Sequence, residues 1–326
     1  MSDSHTDQTP QAPIGSRFGA TSTAADVLEG VDLSGRYAVV TGGYSGIGLE
    51  TTRALVAAGA SVAVPARRPD QARDNLAGLD GVEVGALDLA DLDSVGAYAA
   101  GLVEAGRPVD IVIDSAGVMA PPETRVGPGW ELQIAANHLG HFALVNQLWP
   151  LLGAGARVVS VSSRAHLRSG MRWEDPFFER EPYDEWAAYG QSKTANVLFA
   201  VHLDRLGRES GIRAFALHPG AIVTALSRHM TQDELRDQGA IDEAGQPIVN
   251  DAFKSPEQGA ATQLWAATSP QLDGLGGVYL EDCEIARVAD PDSPERVGVR
   301  DWAIDPEQAG RLWEWSAELT GVNAFG

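Results

Sequence analysis

Thr41-Gly42-Gly43-Tyr44-Ser45-Gly46-Ile47-Gly48 is the stretch on which the reading of this chain turns. It follows a β-branched run, residues 37–41, that predicts a buried strand, and it opens a helical pattern over 46–58. Glycine suits such a junction because the backbone must turn sharply, approach a phosphate closely and let the helix pack on the sheet. Free N–H groups at the helix start then face the anion. The spacing is GxxxGxG, not GxGxxG, and a plain strand-to-helix turn is the alternative. Its place after the first strand of an alternating chain favours a dinucleotide site, with Gly42, Tyr44, Ser45, Gly46, Ile47 and Gly48 around the phosphates.

Outward from this loop the alternation continues. Strands are expected over 61–66, 82–87, 109–114, 157–162 and 212–217, and helices from 70, over 91–104, over 128–152 and over 185–209. Strands alternating with helices imply the α/β class: a single doubly wound parallel-sheet Rossmann-type domain with helices on both faces. Residues 1–30 are polar and read as a flexible N-terminal arm, 31–288 as the catalytic domain, and 289–326 as a tail packing on it. Two long insertions, 164–184 and 227–250, follow strand ends, the edge where open α/β sheets bind ligands. Trp173, Phe177, Phe178 and Met230 lie in them and suggest an apolar substrate, packing onto the body being the alternative.

Composition narrows the function. A net charge of −21 over 326 residues repels phosphate backbones and anionic lipid, so no nucleic-acid partner is expected. The single cysteine, Cys283, rules out an internal disulfide and a cysteine-based zinc site. His138 and His141 lack a nearby third ligand, so no metal is expected. No run of about 20 apolar residues predicts a membrane span, and no signal-peptide pattern is present, so the expected location is cytoplasmic.

Lys193 and Lys254 are the only lysines, all other basic side chains being arginine. Lys193 lies four residues after Tyr189, and residues i and i+4 share one helix face. A cation beside a phenol favours phenolate, which is expected to bring the tyrosine from about 10 towards working pH, so that it can exchange a proton with a carbonyl or alcohol oxygen. Ser162 and Ser163 end a strand on the ligand edge, where a hydroxyl can hydrogen-bond the substrate oxygen. After the second strand, Ala66 occupies the place of the carboxylate often found on the ribose hydroxyls, and Arg67 and Arg68 follow. Arginine suits a 2′-phosphate, which favours NADP(H) over the alternative NAD(H).

Together these motifs resemble the short-chain dehydrogenase/reductase family, nearest to its retinol-dehydrogenase and WW-domain-oxidoreductase-like branch. The resemblance rests on the glycine loop, Asp88-Leu89, Asp114-Ser115-Ala116-Gly117, Asn137-His138-Leu139-Gly140-His141-Phe142, Val161-Ser162-Ser163, Tyr189-Gly190-Gln191-Ser192-Lys193 and His218-Pro219-Gly220 with Thr224. It implies hydride transfer between a nicotinamide and a small-molecule carbonyl or alcohol. Tyr189 would be the acid/base, Lys193 would hold the nicotinamide ribose, Ser163 would orient the substrate oxygen, and Asn137 would support a proton relay. Asp88 and Leu89 would flank the adenine, Ser115, Ala116 and Gly117 would line the cofactor, and Pro219, Gly220, Ile222 and Thr224 would clasp the carboxamide. A homo-oligomer is also implied, for which the apolar stripe Ala195, Leu198, Phe199 and His202 could be a seam or simply core. Asp114 and Ser115 depart from the family's Asn-Asn, so the resemblance does not carry over the family's local sheet-stabilising hydrogen bonds, while the implied chemistry stands. The competing functions are a catalytically silent dinucleotide-binding regulator, which needs no acid/base tyrosine, and an epimerase or dehydratase, which the glycine spacing disfavours.

Overall fold

In the computed structural model, which describes residues 9–250, 252–290 and 297–326, the first element is a short helix, α1 (Ala24–Leu28). The chain then alternates: β1 (Tyr37–Thr41), α2 (Gly46–Ala57), β2 (Ser61–Ala66), α3 (Pro69–Asn75), β3 (Val82–Ala86), α4 (Leu92–Ala105) and β4 (Val109–Asp114). Asp91 caps α4 by accepting the Asp93 amide, and Gly106 ends it in the left-handed region. A small hairpin, β5 (Arg125–Val126) with β6 (Trp130–Glu131), leads into α5 (Leu132–Ile134), a π-helical stretch at Ala135–Leu139 and α6 (Gly140–Leu148). Then come β7 (Leu152–Val161), α7 (Glu185–Gly207), β8 (Arg213–His218), α8 (Gln232–Asp237), α9 (Pro256–Thr268), β9 (Val278–Glu281), β10 (Glu284–Ile285), α10 (Asp301–Ile304) and α11 (Pro306–Thr320).

The main sheet runs β10-β9-β8-β7-β4-β1-β2-β3, with every pairing parallel except β10 on β9. Alternate side chains of each strand serve opposite faces. Ala38 and Val40 join Leu55, Leu264 and Trp265 under α2 and α9, whereas Tyr37 and Val39 join Phe142, Val145 and Phe199 under α4, α6 and α7. Chain order reverses between β1 and β4, where Thr41 pairs with Asp114, so the loops after these strands diverge and open a crevice.

Three boundaries differ from the sequence reading. The helix expected over 128–152 starts only at Leu132, because Gly127 and Gly129 take positive φ to turn the hairpin, and Glu131 then caps the helix through the Gln133 and Ile134 amides. It stops at Leu148, and β7 begins at Leu152, five residues earlier than expected, across a register shift opposite Val109–Ile111. The arm is tethered from Thr9 on: Gln11 bonds the backbone of Tyr279 and Ala286, and Glu284 accepts the amides of Ile14, Gly15 and Ser16. Residues 1–8 lie outside the described residues.

The stripe on α7 is core. Trp313 of α11 stacks on Phe199 at 6.0 Å and on His202 at 5.1 Å, and Leu312 packs with Ala195 and Leu198. The C-terminal segment therefore covers the face that had the seam as its other reading.

Candidate active site

A cavity of about 1180 Å³ opens at the crevice between β1 and β4 and runs along the carboxyl ends of the parallel strands. Its floor is the glycine loop. Gly42 takes φ +68°, and a Cβ there would sit 3.0 Å from the Ala116 Cα. At Gly48 a Cβ would stand 2.4 Å from the Gly42 carbonyl oxygen, so α2 can approach its own loop only with glycine there. Ser45 at the N-cap makes no capping hydrogen bond, and the first N–H groups of α2 have no acceptor within the helix. Gly48→Ala is expected to cost on the order of 1–3 kcal/mol in stability and to weaken dinucleotide binding. Chemical denaturation and a cofactor titration check this, and an unchanged variant would remove the close-approach role.

The expected cofactor residues are brought to this one cavity. Gly42, Tyr44, Ser45, Gly46, Ile47 and Gly48 line it at one end with Arg67, Asp88 and Leu89. Ser115, Ala116 and Gly117 line the middle, and Pro219, Gly220, Ile222 and Thr224 the opposite wall. Arg68 is the exception: it is the N-cap residue of α3, exposed, and does not line the cavity. Of the consecutive pair, only Arg67 lines the cavity, the chain turning into α3 directly after it.

Tyr189, Lys193 and Ser163 also line the cavity, beyond Gly117. Asp184 starts α7 by accepting the Trp186 and Ala187 amides, which puts Tyr189 and Lys193 on one face, each 4% exposed. The helix is fastened to the end of β7. Lys193 Nζ donates to the Val161 carbonyl at 2.9 Å, Asn196 donates to the same oxygen at 3.0 Å, and Ser162 Oγ donates to the Lys193 carbonyl at 2.7 Å. Lys193 Nζ lies 5.7 Å from the Tyr189 ring centroid.

Electrostatics differ from the expectation of a lowered phenol. Burial pushes Tyr189 up to about 12, against the opposing pull of the Ser163 hydroxyl, and burial pushes Lys193 down to about 7. Loss of water around both groups outweighs what a cation at that distance provides.

Asn137 lies behind Lys193 rather than in the cavity wall. Its side chain accepts the Val118 amide at 2.8 Å and donates to the Val118 carbonyl and to Ser192 Oγ. It belongs to the π-helical stretch, a local widening that is frequent at functional sites. The Asn137 carbonyl lies 3.0 Å from His141 Nδ1, and His141 Nε2 lies 2.8 Å from Thr41 Oγ1. Burial lowers this ring to about 4, against the opposing pull of the Asn137 carbonyl. Asp114 is fully buried there with neither carboxyl oxygen hydrogen-bonded, and burial raises it well above the ordinary carboxylate range. Ser115 Oγ is buried and unbonded as well, while the backbone of Asp114 keeps its pairing with Thr41 and Ser160.

The insertions behave unevenly. Trp173 donates to Gln308 and meets Trp315, Phe177 lies between Trp130 and Trp315, and Phe178 is buried against Tyr183. These three pack on the body, and only Met230 of the four lines the cavity. Leu167, Trp186, Leu226, Leu235 and Phe253 supply the apolar walls instead. Sequence reasoning missed them, together with Arg164 and Arg300, because aromatic content in a loop does not say which way the rings face. Among the described residues no three His, Cys, Asp or Glu side chains gather as for a metal, and no helix is long and apolar enough to cross a membrane.

Comparison with known proteins bears on the whole chain. A family profile described as short chain dehydrogenase matches residues 36–235. A "Probable oxidoreductase" of Streptomyces lividans is 47% identical over 88% of this chain and 98% of its own length. Human "Retinol dehydrogenase 13" is 33% identical over 97% of this chain and 95% of its own. Among solved structures, the Pseudomonas aeruginosa RhlG/NADP active-site complex superposes with a TM-score of 0.59 at 26% identity, covering 77% of this chain and 95% of that one.

Proposed function

This chain belongs to the short-chain dehydrogenase/reductase family, in its retinol-dehydrogenase-like branch, and is an oxidoreductase of the kind that uses NAD(P); from that premise we propose that it is an NADP(H)-preferring carbonyl reductase or alcohol dehydrogenase with Tyr189 as its acid/base. The observation that carries this reading is the convergence of Ser163, Tyr189 and Lys193, from two different elements, on the cavity that the glycine loop floors. A silent dinucleotide-binding regulator needs no such triad.

The bound nicotinamide supplies or accepts the hydride. In the reducing direction the carbonyl π bond breaks as hydride reaches carbon, and Tyr189 Oη gives its proton to the developing alkoxide oxygen. A phenol held at about 12 is fully protonated at neutral pH and so ready to donate. Ser163 Oγ hydrogen-bonds the same oxygen and stabilises the charge as it forms. Lys193 then returns a proton towards Tyr189, and a group at about 7 can both hold and release one at working pH. Asn137 fixes the π-helical turn behind Lys193. Oxidation of an alcohol is the same sequence reversed. The apolar walls suit a substrate with an apolar body.

Preference for NADP(H) is assigned to Arg67. It lines the end of the cavity just after β2, beside Pro65 and Ala66, and β2 ends without the carboxylate that would repel a 2′-phosphate. Arg67→Asp is expected to lower the ratio of kcat/KM for NADPH over NADH by at least about tenfold, since a charge-assisted partner is lost and a like charge put in its place. Steady-state kinetics with both cofactors test this, and an unmoved ratio would clear Arg67 of the role.

A further inference from the structure

We propose that the substrate carries a carboxylate, held beside the reacting oxygen by Arg164 and Arg300. This rests on the hydride-transfer reading above and names the substrate class for that same cavity.

The chain carries a net charge of −21, yet the substrate side of its cavity is cationic. Arg164, Arg168, Arg228 and Arg300 line it against one carboxylate, Glu234, which is already occupied as the partner of the Thr231 amide and hydroxyl. In a chain that writes nearly every basic residue as arginine, the identity of these four says little; their placement and their lack of partners say more. Among the described residues, the side chains of Arg164 and Arg300 make no hydrogen bond and no ion pair. Arg300 Nε is buried without a partner, its guanidinium having only the Trp302 ring, at 5.5 Å. One N–H of that half-buried guanidinium is thus out of water without an acceptor, a cost that an incoming carboxylate would relieve.

Both arginines are fixed relative to the catalytic serine. Arg164 follows Ser163 directly, and its amide donates to His218 Nδ1 at 3.2 Å. His166 bridges the other: its Nδ1 lies 2.7 Å from the Ser163 carbonyl and its Nε2 accepts the Arg300 amide at 3.4 Å. Arg300 is therefore held one imidazole from Ser163, although 137 residues separate the two in sequence. Glu281 accepts the Gly298 amide and attracts Arg164, but forms no ion pair or hydrogen bond with it, so the Arg164 fork keeps its donors. Two planar forks offer a carboxylate the paired N–H donors that match its geometry. Arg168, with its guanidinium 5.6 Å from the Trp186 ring, and the exposed Arg228 stand along the approach and would steer an anion inwards.

The test compares 4-formylbenzoate with its methyl ester, in the full-length protein with NADPH, and benzoate with benzamide as ligands of the NADP⁺-saturated protein by calorimetry. The acid should exceed the ester in kcat/KM, and benzoate should bind more tightly than benzamide, each by about tenfold or more. Arg164→Gln should collapse both ratios, and Arg300→Lys, which keeps the charge but loses the fork, should lower them partway. Equal handling of acid and ester, equal binding of benzoate and benzamide, or ratios that persist in both variants would overturn the proposal. So would a loss of NADPH affinity in Arg164→Gln, which would give that arginine to the cofactor. Benzoate bound selectively by a protein that turns over neither aldehyde would leave the anion site standing and count against the hydride-transfer reading instead.

Discussion

Tyr189→Phe is expected to lower kcat by about a thousandfold while leaving NADPH affinity within about twofold, since proton transfer by a positioned side chain contributes roughly 10² to 10⁴ in rate. The variant removes one oxygen from a ring that is 4% exposed and whose packing against Trp186 stays in place, so the fold has little to lose. Phenylalanine cannot donate to the alkoxide, and Ser163, which can stabilise that oxygen, has no proton of suitable acidity to give it. Single-turnover kinetics with saturating NADPH separate the chemical step from binding. Turnover close to wild type would take Tyr189 out of the mechanism, whereas an equal loss of cofactor affinity would point to a binding role.

Asp114→Asn is expected to stabilise the protein by on the order of 1–3 kcal/mol near neutral pH, because a neutral amide avoids the proton uptake that the buried carboxyl undergoes on folding. Both carboxyl oxygens lack hydrogen bonds, and the nearest basic atom, His141 Nε2, is 4.0 Å away and engaged with Thr41. The sign of the pH dependence follows from the raised value of Asp114. The folded protein retains a proton that the unfolded chain has released above about 3.9, so wild-type stability falls as pH rises towards the folded value. An amide does not titrate. The advantage of the variant should therefore widen as pH rises from about 3.9 towards the folded value, as read by urea unfolding at a series of pH values. A destabilised variant, or a constant gap, would show that Asp114 is not held as a desolvated acid.

Much of this was legible along the chain because it is local. The glycine loop, the i, i+4 pair of Tyr189 and Lys193, and the caps Asp91 and Asp184 are each set by neighbours within a few residues. The run at 128–152 misled because its apolar residues suit a helix throughout, whereas glycines at 127 and 129 and Pro150 set where that helix can start and stop. Arg67 and Arg68 looked equivalent, and only the turn into α3 separates them. The substrate side was the least legible. Trp173 and Phe177 face Trp315 of α11, a partner about 140 residues away, and Arg300 reaches Ser163 only through His166. Such pairings come from the packing of the C-terminal segment over α7, and nothing in the local sequence of either partner announces them.

The crevice between β1 and β4 is the proposed NADP(H) site. Trp186 lines that cavity and can pass its excitation to a bound nicotinamide. Titration of the full-length protein with NADPH and with NADH, read by this energy transfer, should show saturable binding of both, with NADPH tighter by about tenfold or more. Tighter binding of NADH would contradict the assignment of Arg67, and binding of neither by a protein with native circular dichroism would contradict the account as a whole.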